Sequence, residues 1–85
     1  PPEEIRDELI TNAAVADLCK RALAGDTVWV RHESIVAIKR VPGGGTELLL
    51  NGSHMIRSTF SDNELKELIR YALRTQSTFI PVLPG

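Results

Sequence analysis

The 85 residues of this chain suffice for one domain, and the proportions of hydrophobic (42%) and charged (25%) residues exclude both a disordered chain and a membrane protein. Ten Lys and Arg against eleven Asp and Glu give a net charge of −1, which excludes a strongly basic nucleic-acid binder but not a local basic patch. One cysteine excludes an internal disulfide and a cysteine-based zinc site, and the absence of a basic start before an apolar stretch argues against a secretory signal. A cytoplasmic module is therefore expected.

Residues 2–24 are predicted to be helical. Pro2 suits a first helical position, the acidic residues after it favour the positive end of the helix dipole, and Gly25 is a natural stop. Thr11 and Asn12 predict a break at which one of them caps a second helix, with a single bent helix as the alternative. Two apolar stripes follow helical spacing, and their alanines allow close approach of the sheet of this domain or of a second helix. The stripes comprise Ile5, Leu9, Ala13 and Ala16, and Ile10, Ala14, Leu18 and Ala22.

A meander of three or four antiparallel strands is predicted between residues 27 and 60. The glycines at 43–45 predict a loop, and Asn51-Gly52 predicts a type I′ hairpin because both central residues of that turn need a positive φ. The helices are expected to cover one face of this sheet. The strand-like runs are 28–31, 35–41, 46–50 and 53–59, and the covered face consists of Val28, Val30, Ile38, Leu48, Leu50 and Ile56.

A second helix, residues 61–76, carries the clearest local signals. Ser61 and Glu64 have the spacing of a capping box, in which each side chain accepts a hydrogen bond from the backbone N–H of the other residue. Phe60 and Leu65 flank that cap as a hydrophobic staple. The pattern therefore predicts where this helix begins.

The last segment, residues 77–85, is apolar and contains Pro81, which forbids a central strand and predicts an edge strand or an extended tail. Its apolar side chains are expected to pack on this domain or on a partner. Together with the first helix, it offers more apolar surface than one small body is expected to hide. The predicted interaction surface comprises Leu9, Ala13, Ala16, Leu23, Phe79, Ile80, Val82 and Leu83.

These elements predict a single α+β domain over residues 1–85. It consists of a helix or helix pair (1–26), a three- to four-stranded antiparallel meander with an Asn-Gly hairpin (27–60), a C-terminal helix (61–76) and an extended tail (77–85).

Reactive side chains are few and scattered along the sequence. Cys19 with a nearby base would be a nucleophile, but in a helix rich in alanine and leucine it is expected to be a small buried side chain. The candidates for acid–base chemistry are His32 together with Glu33, and His54. Their spacing in the sequence is not that of a metal site. The glycine loop has no Walker lysine and opens no helix, which argues against a phosphate cradle. No enzymatic activity, cofactor, metal or small-molecule substrate is predicted.

Charge is distributed unevenly along the chain. Residues 1–26 carry six acids and three bases, whereas residues 27–57 carry four bases and two acids. Phosphate contacts need several basic side chains on one face. Nucleic-acid contacts are therefore predicted only if these four bases share a face. They are Arg31, Lys39, Arg40 and Arg57.

The order of elements from Val28 to Arg74 resembles the meander-plus-helix core of the LytTR-type DNA-binding domain, and it is similar to the FlbD-like small flagellar regulators. The resemblance covers about half of the chain and implies a bacterial transcription regulator that binds DNA. The LytTR pattern has a strand with basic and histidine residues after the helix, whereas residues 79–82 here carry no basic residue, so no functional residue is carried over. The matching residues are Ile35, Ile38, Leu48, Leu50, Asn51, Gly52 and 61–69.

The function predicted from these observations is a non-catalytic protein–protein interaction or homodimerisation module, in the setting of a bacterial or phage regulatory protein. The alternative is a nucleic-acid-binding regulator that uses a mildly basic face of the sheet. The two hypotheses differ in whether the surplus surface is apolar or basic.

Overall fold

The computed structural model describes the backbone of residues 2–85 and the side chains of residues 13–85. Two helices and five antiparallel strands in two sheets make an α+β fold, as predicted. Short 3-10 turns at His32–Ser34 and Asn51–Ser53 join neighbouring strands. The elements are α1 (Pro2–Leu23), β1 (Val28–Arg31), β2 (Ile35–Arg40), β3 (Thr46–Leu50), β4 (His54–Ser58), α2 (Asp62–Thr75) and β5 (Phe79–Val82).

Helix α1 runs without interruption for 22 residues, so the predicted break at Thr11-Asn12 is wrong and the single-helix alternative is right. Threonine and asparagine inside a helix each cost only a few tenths of a kcal/mol relative to alanine, which is too little to end a long helix. Gly25 follows the helix without a positive φ. A Cβ at Gly25 would lie 3.2 Å from Leu83 Cδ1, so this glycine serves close packing of the tail.

The meander has three strands, the lower of the two predicted numbers, because β1 does not belong to it. Strands β2, β3 and β4 form a three-stranded antiparallel sheet, whereas β1 pairs with β5 in a separate two-stranded ribbon. The 3-10 turn at His32–Ser34 lies between β1 and β2. In the ribbon, Val28 lies opposite Val82 and Val30 opposite Ile80.

The hairpin between β3 and β4 is present, but its turn differs from the predicted type I′ turn. Leu50 pairs with His54, which leaves a loop of three residues. The positive φ values belong to Gly52 (79°) and Ser53 (64°) and not to Asn51. The sequence therefore located the hairpin correctly and placed the turn one residue too early.

Strand β2 contains a bulge at Val36. Ile35 pairs with Leu50 and Ala37 pairs with Leu49, so Val36 has no partner in the register. Strand β2 is also an edge of its sheet, since β3 is its only paired neighbour among the described strands. This edge of the sheet is thus irregular near its start.

The core lies between the two helices and the inner faces of both sheets. Phe60, Leu48 and Leu65 are its largest fully buried side chains. The predicted covered face is confirmed, since Val30 and Leu48 are buried and the other four members are partly buried against the core. The buried apolar residues are Val15, Leu18, Ala22, Val30, Leu48, Phe60, Leu65, Leu68, Ala72, Ile80 and Val82.

The C-terminal segment ties the two sheets together. Strand β5 pairs with β1, and two residues later Pro84 forms an isolated bridge with Ser58 at the end of β4. The carbonyl of Leu83 accepts hydrogen bonds from the Thr59 N–H (3.1 Å) and from Ser58 Oγ (2.8 Å). Of the two predicted alternatives, a contact with this domain or with a partner, the segment makes the first.

Helix α2 begins with the predicted capping box. The Glu64 N–H donates to Ser61 Oγ at 3.2 Å, and the Ser61 N–H donates to Glu64 Oε1 at 2.9 Å. Glu64 also pairs with Arg21 of α1, whose guanidinium lies 5.2 Å from the centre of the Phe60 ring. The cap of one helix thus contacts the last turns of the other.

Replacement of Ser61 by alanine is expected to lower the free energy of unfolding by about 1 kcal/mol, because the Glu64 N–H loses its acceptor. Chemical denaturation measures this loss. Asn63→Ala, at an exposed position in the same turn, is the control and is expected to change stability by less than half as much. Equal effects of the two variants would contradict the role of the cap.

The stability of the fold is expected to fall in acid partly through Glu64. Burial alone would raise the pKa of Glu64, but the hydrogen bond from the Ser61 N–H and the charge of Arg21 outweigh burial and hold the pKa below its usual 4.5. The ionised carboxylate therefore stabilises the fold above pH 4.5, and this contribution is lost as the pH falls through the lowered pKa. Glu64→Gln should flatten the acid limb of a stability–pH curve, while the exposed control Glu33→Gln should leave the limb unchanged.

Candidate interaction surface

The outer face of the β1–β5 ribbon exposes two aromatic side chains. Val30 and Ile80 are buried in the core, whereas Trp29 and Phe79 at alternating positions are exposed. Trp29 lies opposite Pro81, which is itself buried, and Phe79 lies opposite Arg31. Trp29 is 56% exposed and Phe79 is 53% exposed. Because the two exposed aromatic groups lie on the same groove, this face is a candidate contact surface.

A groove of about 180 Å³ lies beside these aromatics, where the C-terminal ends of both helices meet the ribbon. Leu23, the last residue of α1, stands at the groove and is 58% exposed. None of the lining residues carries a charged side chain, and Ile80 closes the groove from the core side. The lining residues are Cys19, Leu23, Trp29, Leu68, Tyr71, Ala72, Ser77, Phe79, Ile80 and Pro81.

We call the groove together with Leu23, Trp29 and Phe79 the Trp29 surface. Its chemistry suits an apolar side chain from another polypeptide, since it offers aromatic and aliphatic walls and few polar groups. Cys19 is its one nucleophilic group, and burial raises the pKa of that thiol above its usual 9.0. A raised pKa keeps the thiol protonated near neutral pH, which is opposite to what a reactive cysteine needs.

The structure divides the predicted interaction residues into four groups, of which the last consists of the three β5 and tail residues that contact the core. Leu23 and Phe79 belong to the Trp29 surface, and Ala13 and Ala16 are exposed on α1. The side chain of Leu9 lies outside the described residues.

Two of the predicted surface residues are corrected by the structure. Ile80 and Val82 are buried in the core, because alternate residues of β5 face the domain interior. Leu83 is half-buried and packs against the same core. An alternating strand cannot present all of its apolar side chains on one face, so the tail contributes Phe79 to the surface and the others to stability.

Sequence reasoning missed Trp29 as a surface residue. Its neighbours Val28 and Val30 alternate with it, so the signal was present in the strand period itself. It also missed a second apolar patch on the outer face of the three-stranded sheet, where Leu49 pairs with Ala37 on one side and Met55 on the other. Val36, Leu49 and Met55 are all exposed there.

The four basic residues considered for nucleic-acid contacts do not share a face. Lys39 and Arg57 lie on the outer face of the three-stranded sheet on either side of Glu47, which pairs with Arg57. Arg40 turns the other way and binds Asp62, an interaction that lowers the pKa of that carboxyl group. Arg31 belongs to the separate ribbon. The basic residues therefore form no continuous patch.

The candidate acid–base residues are also apart. His32 is buried, and its Nε2 lies 2.7 Å from the carbonyl oxygen of Ser77, so the ring ties β1 to the end of α2. His54 is exposed at the start of β4. Within residues 13–85, no group of three or more His, Cys, Asp or Glu side chains has the geometry to hold a metal ion.

The glycine loop forms a wide cleft of about 400 Å³ with the end of the chain. Gly45 has a φ of 79°, and a Cβ on it would lie 2.6 Å from the carbonyl oxygen of Ser58, so only glycine fits there. The loop connects two strands, and the Gly44 N–H donates to the carbonyl of Val41. These glycines serve loop geometry and close packing against β4.

Comparison with protein-family models, curated proteins and solved structures finds no match to this chain. The resemblance to LytTR-type and FlbD-like regulators therefore stays a prediction. Among the described residues, neither helix combines the length and the apolar character needed to cross a bilayer.

Cys19 in the folded chain is expected to react with iodoacetamide near pH 8 about tenfold more slowly than in the chain unfolded by guanidinium, because burial suppresses the thiolate. Mass spectrometry of the alkylated chain measures both rates. The folded-state rate should continue to rise above pH 9, and equal rates in the two states would show that the groove does not shield the thiol.

Proposed function

We propose that this chain is a non-catalytic protein–protein interaction module that self-associates through the Trp29 surface. The observation that carries the proposal is the exposure of Trp29, Phe79 and Leu23 around one uncharged groove. Tryptophan is the residue type most enriched among those that dominate binding energy in protein interfaces. The surface thus has the composition of an interface core.

The energetic argument concerns the area these side chains leave in water. A buried aromatic side chain removes roughly 150–250 Å² from solvent. With half of that area already covered, burying the exposed parts of Trp29 and Phe79 contributes about 4–6 kcal/mol at roughly 25 cal/mol per Å². That gain is substantial against the entropic cost of association.

The outer face of the three-stranded sheet is the weaker candidate for a contact. Its apolar side chains Leu49 and Met55 lie beside a row of charged groups formed by Lys39, Glu47 and Arg57. The Trp29 surface combines a concave shape with an uncharged lining, and this combination favours it.

Nucleic-acid binding is not proposed as a second function. Phosphate recognition requires clustered basic side chains, and here Arg40 and Arg57 are each paired with a carboxylate. The four basic residues are divided between two sheets and cannot act together on one phosphate backbone. We therefore favour the apolar surface as the functional one.

Sedimentation velocity from low micromolar to about 100 μM protein tests the proposal. The double variant Trp29→Ser and Phe79→Ser is expected to weaken self-association at least about tenfold, which corresponds to roughly 1.4 kcal/mol. Both side chains are more than half exposed, so thermal unfolding should show a folded protein in either case.

The matched control carries Leu49→Ser and Met55→Ser on the outer face of the three-stranded sheet, where two exposed apolar groups are also removed. This control should associate like the original chain. A monomer at every concentration would refute self-association. Equal weakening of self-association by both double variants would show that the Trp29 surface is not the specific contact.

A further inference from the structure

The turn between β3 and β4 holds two features of the sequence that the proposed contact does not use. Asn51 and Gly52 are its first two residues, and His54, one of the candidates for acid–base chemistry, begins β4. All three residues are exposed to water. The turn belongs to the three-stranded sheet, which shares no strand with the ribbon that carries Trp29, so its chemistry is independent of self-association.

Gly52 leaves its backbone nitrogen open to the side chain of the residue before it. Glycine has no Cβ, so no side chain of its own stands between this nitrogen and the amide group of Asn51. Within residues 13–85, the backbone hydrogen bonds outside the helices and strands include none donated by the Gly52 N–H. A bond from this nitrogen to Cγ of Asn51 closes a small unstrained ring, a succinimide.

The imidazole ring of His54 lies against Gly52. A Cβ placed on Gly52 would be 3.4 Å from Cδ2 and 3.7 Å from Nε2 of this ring. The ring makes no hydrogen bond or ion pair with the described part of the chain, so its nitrogens are available to exchange protons. An imidazole accepts and donates protons near neutral pH. A proton-exchanging group therefore stands beside the nitrogen that must lose its proton for the ring to close.

We propose that Asn51 is a site of spontaneous covalent modification, in which the Gly52 nitrogen displaces the side-chain amide of Asn51 and His54 carries the proton. The Gly52 N–H gives its proton to the imidazole, and the nitrogen attacks Cγ of Asn51. The bond between nitrogen and Cγ forms, the bond between Cγ and Nδ2 breaks, and Nδ2 leaves as ammonia with the proton returned by the imidazole. No oxidant or cofactor is needed.

Water then opens the succinimide in one of two ways, and the exposure of the turn allows water to reach it. Cleavage between the Gly52 nitrogen and Cγ leaves an aspartate at position 51. Cleavage between the same nitrogen and the main-chain carbonyl carbon leaves an isoaspartate, in which the chain runs through Cβ and Cγ. Both products replace a neutral amide by a carboxylate.

The consequence for the fold is local. Leu50 and His54 pair at the two ends of the turn, so the longer backbone of an isoaspartate must fit between two fixed positions. Leu48 is fully buried and holds β3 in the core. The modification therefore adds a negative charge and strain at the tip of the hairpin, while the rest of the sheet keeps its register.

Incubation of the full chain at neutral pH and physiological temperature tests the site. Peptide mass mapping, with enzymatic methylation to detect isoaspartate, is expected to show modification of Asn51 at least about tenfold faster than that of Asn63, because only Asn51 precedes a glycine. Asn63 is an internal control, since it is also exposed but the N–H of the next residue, Glu64, donates to Ser61 Oγ.

The role of His54 is tested with His54→Gln, which changes an exposed side chain and should leave the chain folded. In the folded chain this variant should slow modification of Asn51 at least about threefold, because the proton acceptor is lost. In chains unfolded by guanidinium the two rates should be equal, since only the fold places the ring beside Gly52. The matched control is Met55→Gln, at the next exposed position of β4, which should not change the rate.

Each part of the proposal has a result that overturns it. Modification of Asn51 no faster than that of Asn63 would overturn the site itself. Equal rates in the folded original chain and the folded His54→Gln variant would overturn the role of His54. Equal slowing by His54→Gln and Met55→Gln would also overturn that role, because the effect would then come from any change on β4.

Discussion

The C-terminal segment, residues 79–85, is the constraint on which the rest of the fold depends. The three-stranded sheet and the ribbon share no strand, so something other than a continuous ladder must hold them in place. The segment does so by pairing with β1 and then bridging to Ser58 at the end of β4. Ser58 Oγ donates to the carbonyl of Leu83 and accepts from the Phe60 N–H, so the corner that leads into α2 is fixed by the same contacts. Loss of this segment would leave β1 without its partner strand and would remove Ile80 and Val82 from the core.

The same segment builds the candidate site. Because side chains alternate along β5, Ile80 and Val82 complete the core while Phe79 faces the groove. His32 reinforces this arrangement from the turn that follows β1, since its ring contacts the carbonyl of Ser77 and its N–H donates to the carbonyl of Thr78. The Trp29 surface is therefore held by backbone pairing and a buried hydrogen bond, and a partner would meet a preformed surface.

Local rules in the sequence account for much of the fold. The capping box at Ser61 and Glu64, the β3–β4 hairpin and the α+β class all follow from short-range patterns, and the structure contains each of them. The pairing of β1 with β5 joins segments about fifty residues apart, and no spacing rule identifies which distant strand supplies a partner. This pairing exposes Trp29 and buries Ile80, so the position of the site was only half predictable. Leu23 and Phe79 could be predicted because the sequence has more apolar residues than a small core needs. The exposure of Trp29 and the presence of the groove depend on the pairing of β1 with β5, which the sequence does not reveal.

The bulge at Val36 bears on how large an assembly of this chain can become. A regular exposed edge strand is a template to which further copies add one after another, and open-ended growth of that kind produces filaments. The extra residue in β2 interrupts the row of backbone donors and acceptors, and Lys39 and Arg40 place two like charges on the same strand. The β2 edge of the three-stranded sheet is thereby blunted, and at the β4 edge Ser58 is already bridged to Pro84, so open-ended growth of this sheet is disfavoured.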